Sequence, residues 1–203
     1  MERVIAYIDG YNLYHGLKDK HWRWAYWLNI QALMQNFLKP GQSLTRTKYF
    51  TTVVASPADK RARQAVFLEA LQTLSDFDIY YGKFLSDVVT CHQCGHQYTD
   101  HHEKMTDVNI ATELLVDSFT DQFDVALLLS ADSDLVGPLK AVQRLFHEKQ
   151  VIVLFPPDRS SKELMKYAHG YQYVSRSKLN KSLFPDTVVK PNGYELKRPS
   201  RWR

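Results

Sequence analysis

Val125–Leu129 is an unbroken apolar run that passes straight into Ser130-Ala131-Asp132-Ser133-Asp134. From residue 135 to 146 the apolar residues then recur at helical spacing. A run of strand length with no polar residue suits a strand covered on both faces, as in a parallel sheet. Parallel strands need crossover connections, usually helices, and the rest of the chain has that alternation. Strand-like runs occupy residues 4–8, 49–55, 79–84, 151–155 and 172–174. Helix-like stretches occupy 29–38, 58–74, 108–119 and 161–169, with Asn29 as a cap for the first and Pro40-Gly41 as its stop. The pattern predicts an α/β fold with a mostly parallel central sheet and helices on both faces. Two insertions interrupt it, an aromatic one at 21–27 and a small Cys/His insertion at 88–104.

At 203 residues the chain suits one domain. We place its body at residues 1–175, including the insertion at 88–104, and a basic C-terminal tail at 176–203. The net charge is +4. The tail holds eight Lys/Arg against two Asp/Glu, leaving 18 basic against 20 acidic groups in the body. A basic tail fits a polyanionic partner such as nucleic acid, or simply a solvated terminus. No apolar run approaches the ~20 residues that span a bilayer, so no membrane partner is expected. Met1-Glu2-Arg3 leads directly into a strand-like run with no signal-peptide layout, which makes the cytoplasm the expected compartment. The two cysteines do not make a disulfide framework.

The acids stand where the pattern changes. Asp9 ends the run at 4–8, within Ile8-Asp9-Gly10-Tyr11-Asn12. Asp107 opens the helical stretch at 108–119, and Asp132 and Asp134 follow Val125–Leu129. Each could merely cap a helix or favour its first turn. A doubly wound sheet, however, gathers the carboxyl ends of its strands at one edge, where such folds place their sites. Carboxylates crowded there repel one another, and a hard divalent cation relieves the repulsion. Two Mg²⁺ or Mn²⁺ ions held in this way can clamp the attacking and leaving oxygens of a phosphodiester. Asn12 and Ser130 offer polar groups beside the acids and are expected to contact substrate. Tyr11 adjoins Asp9, and Arg159 and Lys162 follow the strand at 151–155 on the same predicted edge, placed to contact phosphate.

The joint pattern resembles the NYN-domain proteins, the LabA-like bacterial branch of the PIN-like nuclease superfamily. The carrying motifs are Asp9-Gly10-Tyr11-Asn12, Lys104-Met105-Thr106-Asp107-Val108-Asn109-Ile110-Ala111, and Ser130-Ala131-Asp132-Ser133-Asp134-Leu135, and the resemblance spans residues 3–175. It implies a PIN-like three-layer fold and a metal-dependent ribonuclease acting through Asp9, Asp107, Asp132 and Asp134. The implied partner is RNA, in single-stranded form, and a homodimer is one assembly open to it. A non-catalytic RNA-binding or regulatory module on the same fold is the alternative, and the presence of all four acids argues against it. Glu113 is a further acid on the middle helix, but its offset from Asp107 places it off that helical face. No Walker loop is present, and the first strand lacks the Asp-x-Asp of an aspartyl phosphatase.

Cys91-His92-Gln93-Cys94-Gly95-His96 has the spacing of a zinc-knuckle turn. Cys91 and Cys94 are the first two ligands expected of a structural zinc, with His96, His101 and His102 competing for the remaining places. A redox dithiol, a half-site completed by another chain and a metal-free loop are the alternatives. The segment His21-Trp22-Arg23-Trp24-Ala25-Tyr26-Trp27 suits either base stacking or core packing in a half-buried strand or hairpin.

Overall fold

The computed structural model describes the backbone of residues 1–203 and all side chains except those of 84–88 and 98–104. The chain runs β1 (Glu2–Asp9), α1 (Gly10–Asp19), α2 (Ile30–Gln35), β2 (Gln42–Thr51), α3 (Ala58–Leu71) and β3 (Phe77–Tyr81). A hairpin of β4 (Lys83–Thr90) and β5 (Gln97–Lys104) follows. The second half continues with α4 (Thr106–Phe119), β6 (Val125–Leu129), α5 (Val136–Leu145), β7 (Gln150–Phe155), α6 (Lys162–Tyr167), β8 (Gly170–Tyr173) and α7 (Arg176–Asn180). Six strands form one parallel sheet in the order β3-β2-β1-β6-β7-β8. The chain winds outward from β1 in one direction, then crosses over and winds outward from β6 in the other. The switch point of this doubly wound order therefore lies between the carboxyl ends of β1 and β6.

The period-2 alternation of β1 and β6 builds both cores. Val4, Ala6, Ile8, Leu127 and Leu129 meet Leu13, Leu17, Leu33, Leu68 and Leu71 on one face. Ile5, Tyr7, Ala126 and Leu128 meet Ile110, Leu114, Leu139, Val142 and Leu164 on the other. The layers are thus helix, sheet and helix, as the alternation predicts.

Several boundaries depart from the sequence reading. Helix α1 was not read from the sequence. Its inner face is built partly from Gly10 and Gly16, which carry no apolar signal. Both glycines are required by close approach: a Cβ on Gly10 would lie 2.6 Å from the Tyr49 ring, and one on Gly16 would lie 2.6 Å from the Pro157 carbonyl oxygen. Strand β2 begins at Gln42 because its first half lies only partly covered, so its polar residues left no apolar run to find. The Cys/His insertion is the β4–β5 hairpin. The aromatic insertion forms a 3₁₀ turn at Arg23–Tyr26, not a strand or hairpin. Trp27 is fully buried in the first core, and Trp22 and Trp24 pack against it. The segment at 176–203 is no loose tail. Leu179, Phe184, Val188 and Leu196 enter the first core, and the Trp27 indole donates to the Pro185 carbonyl at 2.7 Å.

Under the second core sits a buried ionic network. Lys48 on β2 donates to Asp117 and Glu113, both at 2.7 Å. The Tyr7 hydroxyl donates to Asp117 at 2.5 Å and that of Tyr80 to Glu113 at 2.9 Å. Burial alone would lower the Lys48 pKa, but the hydrogen bonds to Asp117 and Glu113 outweigh it and raise it, so the ammonium stays charged. Glu113 is thereby committed to Lys48 and Tyr80, which accounts for its place outside the acidic set. Removing one partner of a buried ion pair strands the other. Lys48→Met should therefore lower stability by about 3–5 kcal/mol in urea denaturation. A loss under about 1 kcal/mol would show that the network does not hold β2 to α4.

Candidate functional site

Asp9 is the last residue of β1 and caps α1. Its Oδ1 accepts from the Asn12 backbone N–H at 2.8 Å, which satisfies one of the helix's orphan donors. Its Oδ2 accepts from the Asn12 side-chain amide at 2.9 Å and from the Ser130 hydroxyl at 2.8 Å. Ser130, just past β6, accepts in turn through its hydroxyl from the Asp132 N–H at 3.0 Å, and the Asn12 side-chain Oδ1 accepts from the Ala131 N–H at 3.4 Å. These bonds fasten the β1–α1 turn to the β6–α5 loop across the switch point. Asn12 and Ser130 were expected to meet substrate. Both are buried and spend their hydrogen bonds on Asp9, so they position that carboxylate instead.

Beyond Ser130 the backbone turns out to solvent. Asp132 is half-buried, Asp134 is exposed, and the Asp132 Oδ1 accepts from the Asp134 N–H at 3.0 Å. Asp107 lies in the first turn of α4, entered through Met105 at φ 82°. The four acids lie close enough to feel one another. Burial, and then the negative charges of Asp132, Asp9 and Asp134, push the Asp107 carboxyl up to about 6. No lysine or arginine pairs with Asp107, Asp132 or Asp134 among the described residues. In general, repulsion within such an acidic set is the kind that a hard divalent cation relieves. Among the described residues no three of these side chains converge tightly enough to enclose an ion as they stand.

The other expected residues fall into two groups. Tyr11 is half-exposed beside Asp9, with its ring 4.2 Å from that of His15. The loop after β7 reaches the same sheet edge but is tied to the far end of α1. Arg159 pairs with Asp19 at 2.9 Å, roughly 15 Å along the helix from Asp9. Lys162 is exposed at the start of α6, which Ser161 caps. At the hairpin turn Cys91 is half-buried, while Cys94 and His96 are exposed. The side chains of His101 and His102 lie outside the described residues; their backbones pair with Ser86 and Leu85 along the hairpin. No helix among the described residues is long and apolar enough to cross a membrane.

The site that the sequence did not disclose is a cavity of about 440 Å³ against the outer face of α1. Its walls include Tyr14, Tyr26, Phe67 and Trp202, brought together from α1, the 3₁₀ turn, α3 and the C-terminal end. The only sequence signal was the density of aromatic residues at 21–27.

Comparison with known proteins gives three findings. The NYN domain family model matches residues 3–178. The 6-hydroxy-3-succinoylpyridine 3-monooxygenase of Pseudomonas putida is 26% identical over 242 residues, which cover 98% of this chain and 75% of that protein. A crystal structure of a protein of unknown function from Vibrio parahaemolyticus aligns with a TM-score of 0.60 at 16% identity, over 90% of this chain and 96% of that one, and shares the fold.

The raised Asp107 pKa has a consequence for the metal-free protein. Between about pH 4 and 6 the folded state keeps a proton that the unfolded chain has released, so this carboxyl's contribution to stability falls as pH rises through that window. Metal-free Asp107→Asn should therefore melt at a higher temperature than wild type at pH 7, with the gap closing toward pH 4. Thermal scans in EDTA at several pH values check this, and an equal or lower melting temperature at pH 7 would contradict the crowding of the acids.

Proposed function

The chain belongs to the NYN-domain family, and from that premise we propose that it is a metal-dependent endoribonuclease. The observation that supports this reading is the self-repelling set Asp9, Asp107, Asp132 and Asp134 at the switch point of the sheet, where doubly wound folds bind their ligands. Mg²⁺ or Mn²⁺ bound there would offset charge on the scissile phosphate and lower the pKa of a water. Asp107, Asp132 and Asp134 offer the oxygens that would hold it, with Asp9 as the anchored member. Asn12 and Ser130 keep the Asp9 carboxylate in one orientation, so no reordering is needed when substrate arrives. Tyr11 stands half-exposed beside the acids, within reach of an incoming strand, and Lys162 and Arg159 lie farther along the same edge as phosphate contacts. An unpaired strand suits a site with an exposed aromatic ring beside it. The monooxygenase activity in the Pseudomonas relative's name is a statement about that protein.

Purified protein should cleave RNA only with Mg²⁺ or Mn²⁺, and Asp132→Asn should abolish cleavage without changing the circular dichroism spectrum. Asn12→Ala should cost roughly 10–100-fold, as expected when a residue supporting a metal ligand is lost. Cleavage that persists in EDTA, or equal cleavage by wild type and Asp132→Asn with Mn²⁺, would refute the mechanism.

We also propose that the tip of the β4–β5 hairpin holds a structural zinc through Cys91 and Cys94, with His96, His101 and His102 as the candidates for the remaining places. The turn supports this reading. The Gly95 N–H donates to the Cys91 carbonyl at 2.9 Å, the Cys91 N–H donates to the His96 carbonyl at 2.8 Å, and Gly95 takes φ 69°. Hydrogen bonds from the Gln93 and Cys94 backbone and from the Cys94 thiol lower the Cys91 pKa, which favours the thiolate a metal needs. Elemental analysis of protein purified without added metal should give close to one zinc per chain. Negligible zinc with both thiols titrating freely would exclude the site.

A further inference from the structure

The cavity beside α1 takes no part in the chemistry above, yet it shares residues with the acidic site. Gly10 and Tyr11, which directly follow Asp9, line it. Helix α1 connects the two: Tyr11, Tyr14, His15 and Lys18 follow one another at helical spacing along its outer face, leading from Asp9 into the cavity.

We propose that this cavity seats one unpaired nucleotide of the RNA, its base among Tyr14, Tyr26 and Trp202 and its phosphate against Lys18, Arg23 and Lys60. The inference rests on the nuclease reading for the source of that nucleotide. The volume lies in the range of small-molecule and cofactor pockets. The floor is apolar, with Leu13, Leu17, Leu28 and Ile30 from the first core. The Tyr14 and Tyr26 rings lie 5.2 Å apart, and Trp202 meets Tyr26 edge-on at 5.7 Å. Aromatic rings that line a cavity can stack on a base whatever its identity.

The charge of the lining points to an anion. Among the described residues, five cationic side chains line the cavity (Lys18, Arg23, Lys60, Arg63 and Arg201) and no carboxylate does. Arg63 and Arg201 share Asp59, at 2.8 and 3.2 Å. Lys18 and Arg23 have no carboxylate partner among the described residues, and Lys60 lies 5.2 Å from the centre of the Tyr14 ring. Cations beside aromatic rings match a planar base carrying a phosphate better than an uncharged ring or a bare phosphate.

The polar groups facing the interior stay uncharged. Burial and the nearby Lys18 and Arg159 hold His15 below its ordinary pKa, so its imidazole is neutral at pH 7, with one nitrogen to donate and one to accept. Burial, and next to it the neighbouring Tyr14, push the Tyr26 hydroxyl up to about 12, and it remains a donor.

Calorimetry in EDTA with 5′-AMP, 5′-UMP, adenosine and nicotinate tests the proposal on the full chain. Both monophosphates should bind, and adenosine should bind at least about tenfold more weakly. Tyr14→Ala should weaken AMP about tenfold, within the range for losing one stacking face. Lys60→Ala, a change at a partly exposed position that leaves the core intact, should also weaken AMP while adenosine is unaffected. Asp132→Asn should bind AMP as wild type does. No binding of either monophosphate, or equal AMP affinity in wild type and Lys60→Ala, would overturn the assignment. So would nicotinate binding as tightly as AMP, which would make this a site for free aromatic anions. Parallel RNA cleavage assays with Mn²⁺ keep the two readings apart. Cleavage without nucleotide binding sinks the cavity proposal alone, and nucleotide binding without cleavage sinks the nuclease reading alone.

Discussion

Three hydrogen bonds to one buried carboxylate hold the functional edge of this molecule together. Asp9 receives the Asn12 N–H, the Asn12 amide and the Ser130 hydroxyl. The first caps α1, the second fixes the Asn12 side chain, and the third joins β1 to the loop beyond β6. A buried carboxylate without such donors would take up a proton or unfold its surroundings. With them it is held in one orientation. The close contacts of Gly10 with Tyr49 and of Gly16 with the Pro157 carbonyl follow from the helix that Asp9 starts.

The two ends of the second core treat charge in opposite ways. Beneath the sheet Lys48 meets Asp117 and Glu113, with Tyr7 and Tyr80 completing their hydrogen bonds. Full pairing makes that network structural. At the switch point Asp107 faces other acids and no cation among the described side chains, and its carboxyl is pushed up to about 6. Unrelieved repulsion of this kind costs stability in the metal-free protein and is expected where a fold holds charge for a ligand. Both networks draw on α4, through Asp107 at its first turn and Glu113 and Asp117 farther along.

Helix α1 divides two environments. Leu13 and Leu17 bury against the sheet, and Asn12 serves Asp9. Tyr14, His15 and Lys18 line the aromatic cavity, whose floor Leu13 and Leu17 also reach. The segment at 176–203 lines that cavity through Arg201 and Trp202, and its Lys190 pairs with Glu69 of α3 at 2.9 Å.

The alternating apolar runs determined the α/β class, and the positions of Asp9, Asp107, Asp132 and Asp134 at run boundaries determined which acids share an edge. Local periodicity carries both, because a strand covered on both faces must be apolar throughout and its end must turn. The sequence did not disclose α1, since glycine leaves no apolar mark, nor the start of β2, since its first half lies at the sheet's margin. It placed Asn12 and Ser130 beside the acids but could not show that they serve Asp9. That depends on β1 and β6 being neighbours, though more than a hundred residues separate them in the chain. The cavity was hidden for the same reason. Tyr14, Tyr26, Phe67 and Trp202 come from four separate elements, and only the folded chain brings their rings to one place.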